Sequence, residues 1–256
     1  MIKSIDINCD VGEVSFENDC ALLPFVSSCN VSCGAHAGDP VLITSTIREA
    51  VRLGVAVGAH PSYPDAANFG RVSMQMPLNE LSDHLRFQIS TVKAITESFG
   101  AKLQHVKPHG ALYHDVISRR NIAEVLLDVI SEIDPVLSVM GQADSEWGAY
   151  CDGRKQAFIH EAFADRRYAN QTSLAPRNTQ GSVINREADF DQQVRDLLSG
   201  RVVDTEGSTH SLTVQSICLH GDSQHAVLFA NRLQPLCDQA GVTMNAISEP
   251  SRREAL

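Results

Sequence analysis

The amino-acid sequence predicts a single α/β domain over residues 1–256, in which seven or eight strand–helix units close into an incomplete or distorted (β/α) barrel. Three observations predict it. Short β-like runs alternate with longer amphipathic stretches along the whole chain, a pattern that calls for parallel strands joined by right-handed crossovers. The length, 256 residues, matches what one such barrel uses, about 250. Polar residues gather where the strand-like runs end, the place where a barrel collects its chemistry. An open doubly wound sheet is the other arrangement this alternation permits.

The first strand candidate is Ser4–Asp10 and the second Ser28–Cys33. Asp39-Pro40 then reads as an N-cap followed by proline at the first helical position, opening a helix over Pro40–Leu53. Val55–His60 is the third strand, followed by a helix over Leu78–Phe99. Leu103–His109, Val136–Gly141 and Ala157–Ala164 are the next three, with helices over Arg119–Ile133 and Ser145–Cys151 between them. Arg166–Ser182 has no periodicity and carries Asn, Gln, Thr, Pro and Gly, so it reads as a long loop of the functional kind. A helix over Asp189–Leu198, a strand over Ser216–His220 and a helix over Ala226–Ala240 complete the pattern. Gly54, Gly100 and Gly241 each stand where a helix-ending glycine belongs. Ser248–Leu256 reads as an exposed tail.

Composition narrows the function. A net charge of −10 disfavours nucleic acid or an anionic membrane as partner, while local basic groups can still hold an anionic substrate in a cleft. Aromatic residues are few, with Trp147 the single tryptophan, which argues against a stacking surface for bases or a sugar cage. The seven cysteines are odd in number, and Cys9, Cys29 and Cys218 lie in apolar runs, as reduced thiols would. Cys29 and Cys33 could begin a zinc site, but no second pair completes it. Met1–Asp10 has no basic segment followed by an apolar stretch, and no run of about 18 apolar residues occurs. Cytoplasm is the expected location, and no membrane association is expected.

Side-chain alternation places Asp6, Asn8 and Asp10 on one face of the first strand. Three polar groups on a buried face must bond one another, a substrate or a metal; on an edge strand they would face solvent. In Gln104-His105-Val106-Lys107-Pro108-His109-Gly110, His105, Lys107 and His109 share a side. Lys107 suits a carboxylate, a phosphate or a developing oxyanion. His109 suits proton transfer or metal ligation, or simply a backbone bond near a turn. His36, His60 and His220 fall at three further strand ends, with Asp39 and Asp222 close by. Histidines at four equivalent ends, beside Asp10 and Asp222, point to one convergent site without deciding between acid–base and metal chemistry. Glu161, Phe163 and Asp165 share a face, and Arg166 beyond them suits a carboxylate or phosphate, or a salt bridge to Glu161 or Asp165. Phe69-Gly70-Arg71 reads as a loop over the site. Neither a phosphate-binding Gly-x-x-x-x-Gly-Lys-Ser/Thr loop nor a Gly-x-Gly-x-x-Gly turn is present.

The motifs together resemble the LamB/YcsF family, the A subunits of bacterial ATP-dependent 5-oxoprolinase. The matching pieces are Asp6–Glu13, Asn30–Pro40, Gly58–Asp65, Phe69-Gly70-Arg71, Val106–Tyr113, Phe163–Tyr168 and His220-Gly221-Asp222, in order over nearly the whole chain. The resemblance implies a distorted seven-stranded TIM-like barrel related to glycoside hydrolase and deacetylase folds. It implies hydrolysis of the lactam of 5-oxo-L-proline to L-glutamate, with ATP as co-substrate and B and C subunits as partners. Asp10, Lys107, His109 and Asp222 are then the catalytic candidates. Asn8, Asn30, His36, His60, Glu161, Arg166 and His220 are the substrate-binding candidates. Asp10, His36 and His60 are the candidates for a divalent metal. Ala35, Asn68 and Val72 depart from the family pattern, and Ala35 would enlarge the pocket if it faced inward. A metal-dependent amidohydrolase or deacetylase and a non-catalytic acid-binding protein are the alternative functions.

Overall fold

The computed structural model describes residues 2–247, so the expected tail over Ser248–Leu256 lies outside the described residues. Seven parallel strands close into a ring. In order around it they are β1 (Ser4–Val11), β2 (Ser28–Ser32), β3 (Ala56–His60), β4 (Leu103–Val106), β5 (Ser138–Gln142), β6 (Phe158–Phe163) and a seventh strand, Ser216–Leu219, which pairs back onto β1. The closing register sets Asp6 beside Ser216 and Asn8 beside Cys218, and on the other flank Asp10 beside Asn30. A two-residue strand, Thr243–Met244, adds to the start of β1 outside the ring. The barrel, not the open sheet, is the observed solution.

Alternation explains the ring's chemistry. Ile5, Ile7, Cys9 and Val11 join the apolar core, while Asp6, Asn8 and Asp10 on the opposite face are also buried. The edge-strand reading of β1 fails, because the strand is paired on both sides and its residues Ile5–Val11 are buried on both faces. Helices α1 (Phe16–Leu22), α2 (Pro40–Leu53), α3 (Leu78–Ser98), α4 (Gly110–Ser118), α5 (Arg120–Ile133), α6 (Glu146–Gly153), α7 (Glu187–Leu198) and α8 (Ala226–Ala240) contribute the rest of the core. Asp39 caps α2 as expected, its Oδ1 accepting from the Val41 and Leu42 amides at 2.8 and 2.9 Å.

Three expectations change. Strand β4 stops at Val106 rather than His109, since Pro108 has no N–H for the ladder and α4 begins at Gly110. Helices α1 and α4 were not anticipated: α1 has seven residues, too few for a clear period, and α4 is separated from α5 by Arg119 alone. The Arg166–Ser182 segment contains a small hairpin, Tyr168–Asn170 with Ser173–Leu174, and a second unanticipated hairpin pairs Arg201–Val203 with Thr209–Ser211. No helix among the described residues is long and apolar enough to cross a membrane.

Candidate active site

The C-terminal ends of the strands open on a cavity of about 380 Å³. Asp10, His60, Lys107, His109 and His220 line it from the strand ends; Arg71, Arg166 and Arg177 line it from the loops. The anticipated convergence therefore occurs, but the residues divide into two layers.

The lower layer is a closed hydrogen-bond network within the barrel. Lys107 Nζ lies 2.9 Å from Asp10 Oδ1, 2.8 Å from Glu161 Oε1, 3.3 Å from Asn8 Oδ1 and 3.1 Å from the Cys218 sulfur. Asn8 donates to Glu161 Oε1 and Ser216 Oγ, and Asn30 donates to Asn8 Oδ1 and Asp10 Oδ1. His105 Nε2 meets Asn30 Oδ1 at 2.7 Å, and Tyr113 donates its hydroxyl to Glu161 Oε2 at 2.9 Å. Asp6 accepts from Ser27, Ser28 and Ser216. This satisfies a set of polar groups that would otherwise be costly to bury. Burial opposes the Asp10 carboxylate, but Lys107, His60 and His220 together outweigh it and hold Asp10 well below the ordinary carboxylate range. Burial likewise opposes the Lys107 charge, and Asp10, Cys218 and Glu161 more than restore it.

Five of the candidate residues, Asn8, Asp10, Asn30, Lys107 and Glu161, lie in this layer. Asn8, Asn30 and Glu161 are fully buried, bonded to one another and not among the cavity-lining residues. The three N–H donors of Lys107 face four acceptors, Asp10, Glu161, Asn8 and the Cys218 sulfur. All three are engaged within this layer, and Lys107 also lines the cavity above it. Gly58 makes the layer possible, because a Cβ there would overlap the His105 ring.

The upper layer is a histidine cluster around Glu13, a residue the sequence reading did not select although it ends the first motif. His36 Nε2 lies 2.9 Å from Glu13 Oε1, and its Nδ1 lies 3.0 Å from Ser62 Oγ. The His36 and His109 rings stack with centroids 3.7 Å apart. His109 Nδ1 is 3.0 Å from His60 Nε2 and 3.4 Å from Glu13 Oε1. Burial and the neighbouring Asp10 raise the Glu13 carboxyl to about 8 against the opposing pull of His60. Burial lowers His36 to about 3 and drives His109 lower still. His36 packs against the His109 ring and is not among the cavity-lining residues. The Phe69-Gly70-Arg71 loop does cover this cluster. Gly70 has φ +65°, and a Cβ on it would come within 2.9 Å of the His36 side chain.

On the opposite wall His220 Nδ1 sits 2.9 and 3.1 Å from the two oxygens of Asp165, and its ring stacks on Phe163. His220 offers a ring nitrogen to a cluster with Asp10 and Cys218 whose atoms all lie within 4.8 Å of one another. Asp222, a catalytic candidate, stands at the rim and pairs with Arg71 and Arg177. Burial raises its carboxyl, but Arg177 and His220 outweigh that and bring it down to about 2. Arg166 forms neither anticipated salt bridge. It donates to the Ala175 carbonyl at 2.7 Å, and its buried Nε has no hydrogen-bond partner among the described residues. The guanidinium of Arg166 also lines the cavity, and a guanidinium suits a carboxylate. Ala35 does not line the cavity, Asn68 bonds Asp65, and Val72 is exposed, so these three departures leave the wall unchanged.

Two clusters could hold a metal: Glu13, His60 and His109, and Asp10, Cys218 and His220. Cys29 and Cys33 join no such cluster among the described residues, and all seven cysteines are free.

The profile of the LamB/YcsF family matches residues 5–252. A relative from Bacillus thuringiensis subsp. konkukian (strain 97-27), named as the A subunit of 5-oxoprolinase, is 38% identical over 253 residues, covering 96% of this chain and 99% of its own. The crystal structure of the lactam utilization protein from Thermus thermophilus superposes with a TM-score of 0.88 at 32% identity, over 95% of this chain and all of its own. The catalytic domain of a peptidoglycan N-acetylglucosamine deacetylase from Eubacterium rectale ATCC 33656 shares the fold alone. Its TM-score is 0.53 at 11% identity, over 96% of this chain and 89% of its own.

Proposed function

Because the chain belongs to the LamB/YcsF family, we propose that it hydrolyses the lactam of 5-oxo-L-proline to L-glutamate as the A subunit of an ATP-dependent, cytoplasmic 5-oxoprolinase. The B and C subunits are its partners and ATP is the co-substrate of the assembly. The names of its relatives support this reading. The observation that carries it is a cavity of about 380 Å³ whose wall joins the guanidinium groups of Arg71, Arg166 and Arg177 to a histidine held in one tautomer.

Ring opening adds water across the C–N bond. The water oxygen bonds the carbonyl carbon, the C–N bond breaks, and a proton moves to the departing nitrogen. Asp165 accepts from His220 Nδ1–H, which leaves the other ring nitrogen bare to take the water proton and return it to that nitrogen. Arg166, with Arg71 and Arg177 near it, holds the substrate carboxylate. Lys107 keeps Asp10 ionised beside the histidine pair, so the reacting carbonyl meets a fixed field rather than reorganising water. A metal bound at the histidine cluster would polarise the carbonyl or its attacking water; Asp10, His60, His109 and Glu13 are the residues that would hold it.

The test is glutamate formation and 5-oxoproline-dependent ATP hydrolysis by the complex, with and without this chain. Omission of the chain should stop glutamate formation, and Lys107→Ala or His109→Ala should abolish it. Full activity of the partners alone, or near-normal turnover in both variants, would exclude the catalytic role.

A further inference from the structure

We propose that Glu13, His60 and His109, joined by Asp10, form a binding site for one divalent transition-metal cation. His60 Nδ1 lies 2.7 Å from the Lys107 carbonyl oxygen, and His109 Nε2 lies 2.9 Å from the Phe69 carbonyl oxygen. A carbonyl only accepts, so both of these nitrogens carry hydrogen. In the neutral rings His60 Nε2 and His109 Nδ1 are therefore bare, yet they face each other at 3.0 Å. Two lone pairs in that position repel unless a cation lies between them. Both residues are more than nine-tenths buried, so bulk water does not relieve the contact.

The surrounding oxygens complete a coordination set. Glu13 Oε1 is 3.4 Å from His109 Nδ1 and 3.9 Å from His60 Nε2, and Asp10 Oδ2 is 3.5 Å from His60 Nε2. Ligands about 2.0–2.1 Å from a tetrahedral metal are separated by about 3.4 Å, so these spacings bracket the required edge. Each ligand is also oriented from behind: the two histidines by backbone carbonyls, Asp10 by Asn30 and Lys107, Glu13 by His36. Mixed imidazole and carboxylate donors suit zinc and its first-row neighbours. The sequence-based set of Asp10, His36 and His60 changes accordingly: His36 becomes the residue that positions Glu13, and Glu13 and His109 become ligands. Because Asp10, His60 and His109 line the cavity, the bound ion would keep a side open to water or substrate.

The experiment strips the full chain with chelator and titrates it with zinc, manganese and cobalt chlorides. Calorimetry and elemental analysis after dialysis read the stoichiometry, and the visible spectrum of the cobalt form reads the geometry. One ion per chain is expected, with affinity falling about 100-fold or more in His60→Gln and in Glu13→Gln. His210→Gln, which breaks a surface His–Asp pair elsewhere, should bind as the native chain does. Circular dichroism separates lost binding from lost folding. Absence of stoichiometric binding by the native chain for all three metals overturns the proposal and leaves a shared proton between the two rings. Unchanged affinity in both folded ligand variants overturns it too. These readouts are independent of lactam hydrolysis: a loaded chain that opens no lactam in the complex refutes the proposed function and leaves the metal site standing.

Discussion

Replacing Lys107 by methionine tests the network that supports the site. The side chain is 2% exposed, and its ammonium touches Asp10 at 2.9 Å and Glu161 at 2.8 Å. At an effective dielectric of 20, each attraction is about 6 kcal/mol. Removing the burial penalty of the ammonium offsets part of that, while two buried carboxylates lose their counter-charge. Breaking a buried pair in this way destabilises by about 3–5 kcal/mol. Urea denaturation should register this as a lower midpoint at nearly unchanged slope. The double variant Lys107→Met/Glu161→Gln removes one of the stranded charges, so its loss should be smaller than the sum of the single losses by about 1–3 kcal/mol. A single-variant cost below about 1 kcal/mol, or strict additivity in the double variant, would refute the reasoning that Lys107 holds the barrel interior together electrostatically.

Further outcomes follow from the same geometry. Asp165→Asn should lower kcat by about 100-fold or more with little change in KM, because His220 loses its fixed tautomer; an unchanged kcat would remove His220 from proton transfer. Gly58→Ala places a methyl group in the His105 ring and should destabilise by about 1–3 kcal/mol in thermal denaturation, whereas a neutral result would show that the ring can move aside. Asp222, brought to about 2 mainly by Arg177 against burial, binds its proton less readily folded than unfolded. Its contribution of about 2 kcal/mol is therefore present above about pH 4 and lost as pH falls through about 2, so the stability gap between the native chain and Asp222→Asn should close over that range. A gap that persists below that range would contradict the assignment.

Much of this was legible along the chain, for identifiable reasons. Asp39-Pro40 and Gly241 mark their helix boundaries because cap chemistry is local. Asp6, Asn8 and Asp10 were assigned one shared face because strand side chains alternate, while whether that face was buried stayed open until the ring closed. Helices α1 and α4 were not legible, since one is too short for a period and the other abuts α5. Glu13 and Asp165 were passed over as site residues for a different reason. Glu13 joins the cluster only through His36, His60 and His109, which lie 23 to 96 positions away, and Asp165 only through His220, 55 positions on.

The sequence by itself determined that parallel strands would bring polar ends to one rim, since backbone geometry assigns each side chain a face before any distant contact forms. Only the tertiary structure decided what those groups can do. Ring closure saturated the donors of Lys107, sealed Asn8, Asn30 and Glu161 beneath the cavity, and drew Asp222 to the arginines at the mouth. It also turned the bare nitrogens of His60 and His109 toward each other. Which lone pair or N–H remains free depends on partners from remote parts of the chain, and no local pattern encodes them.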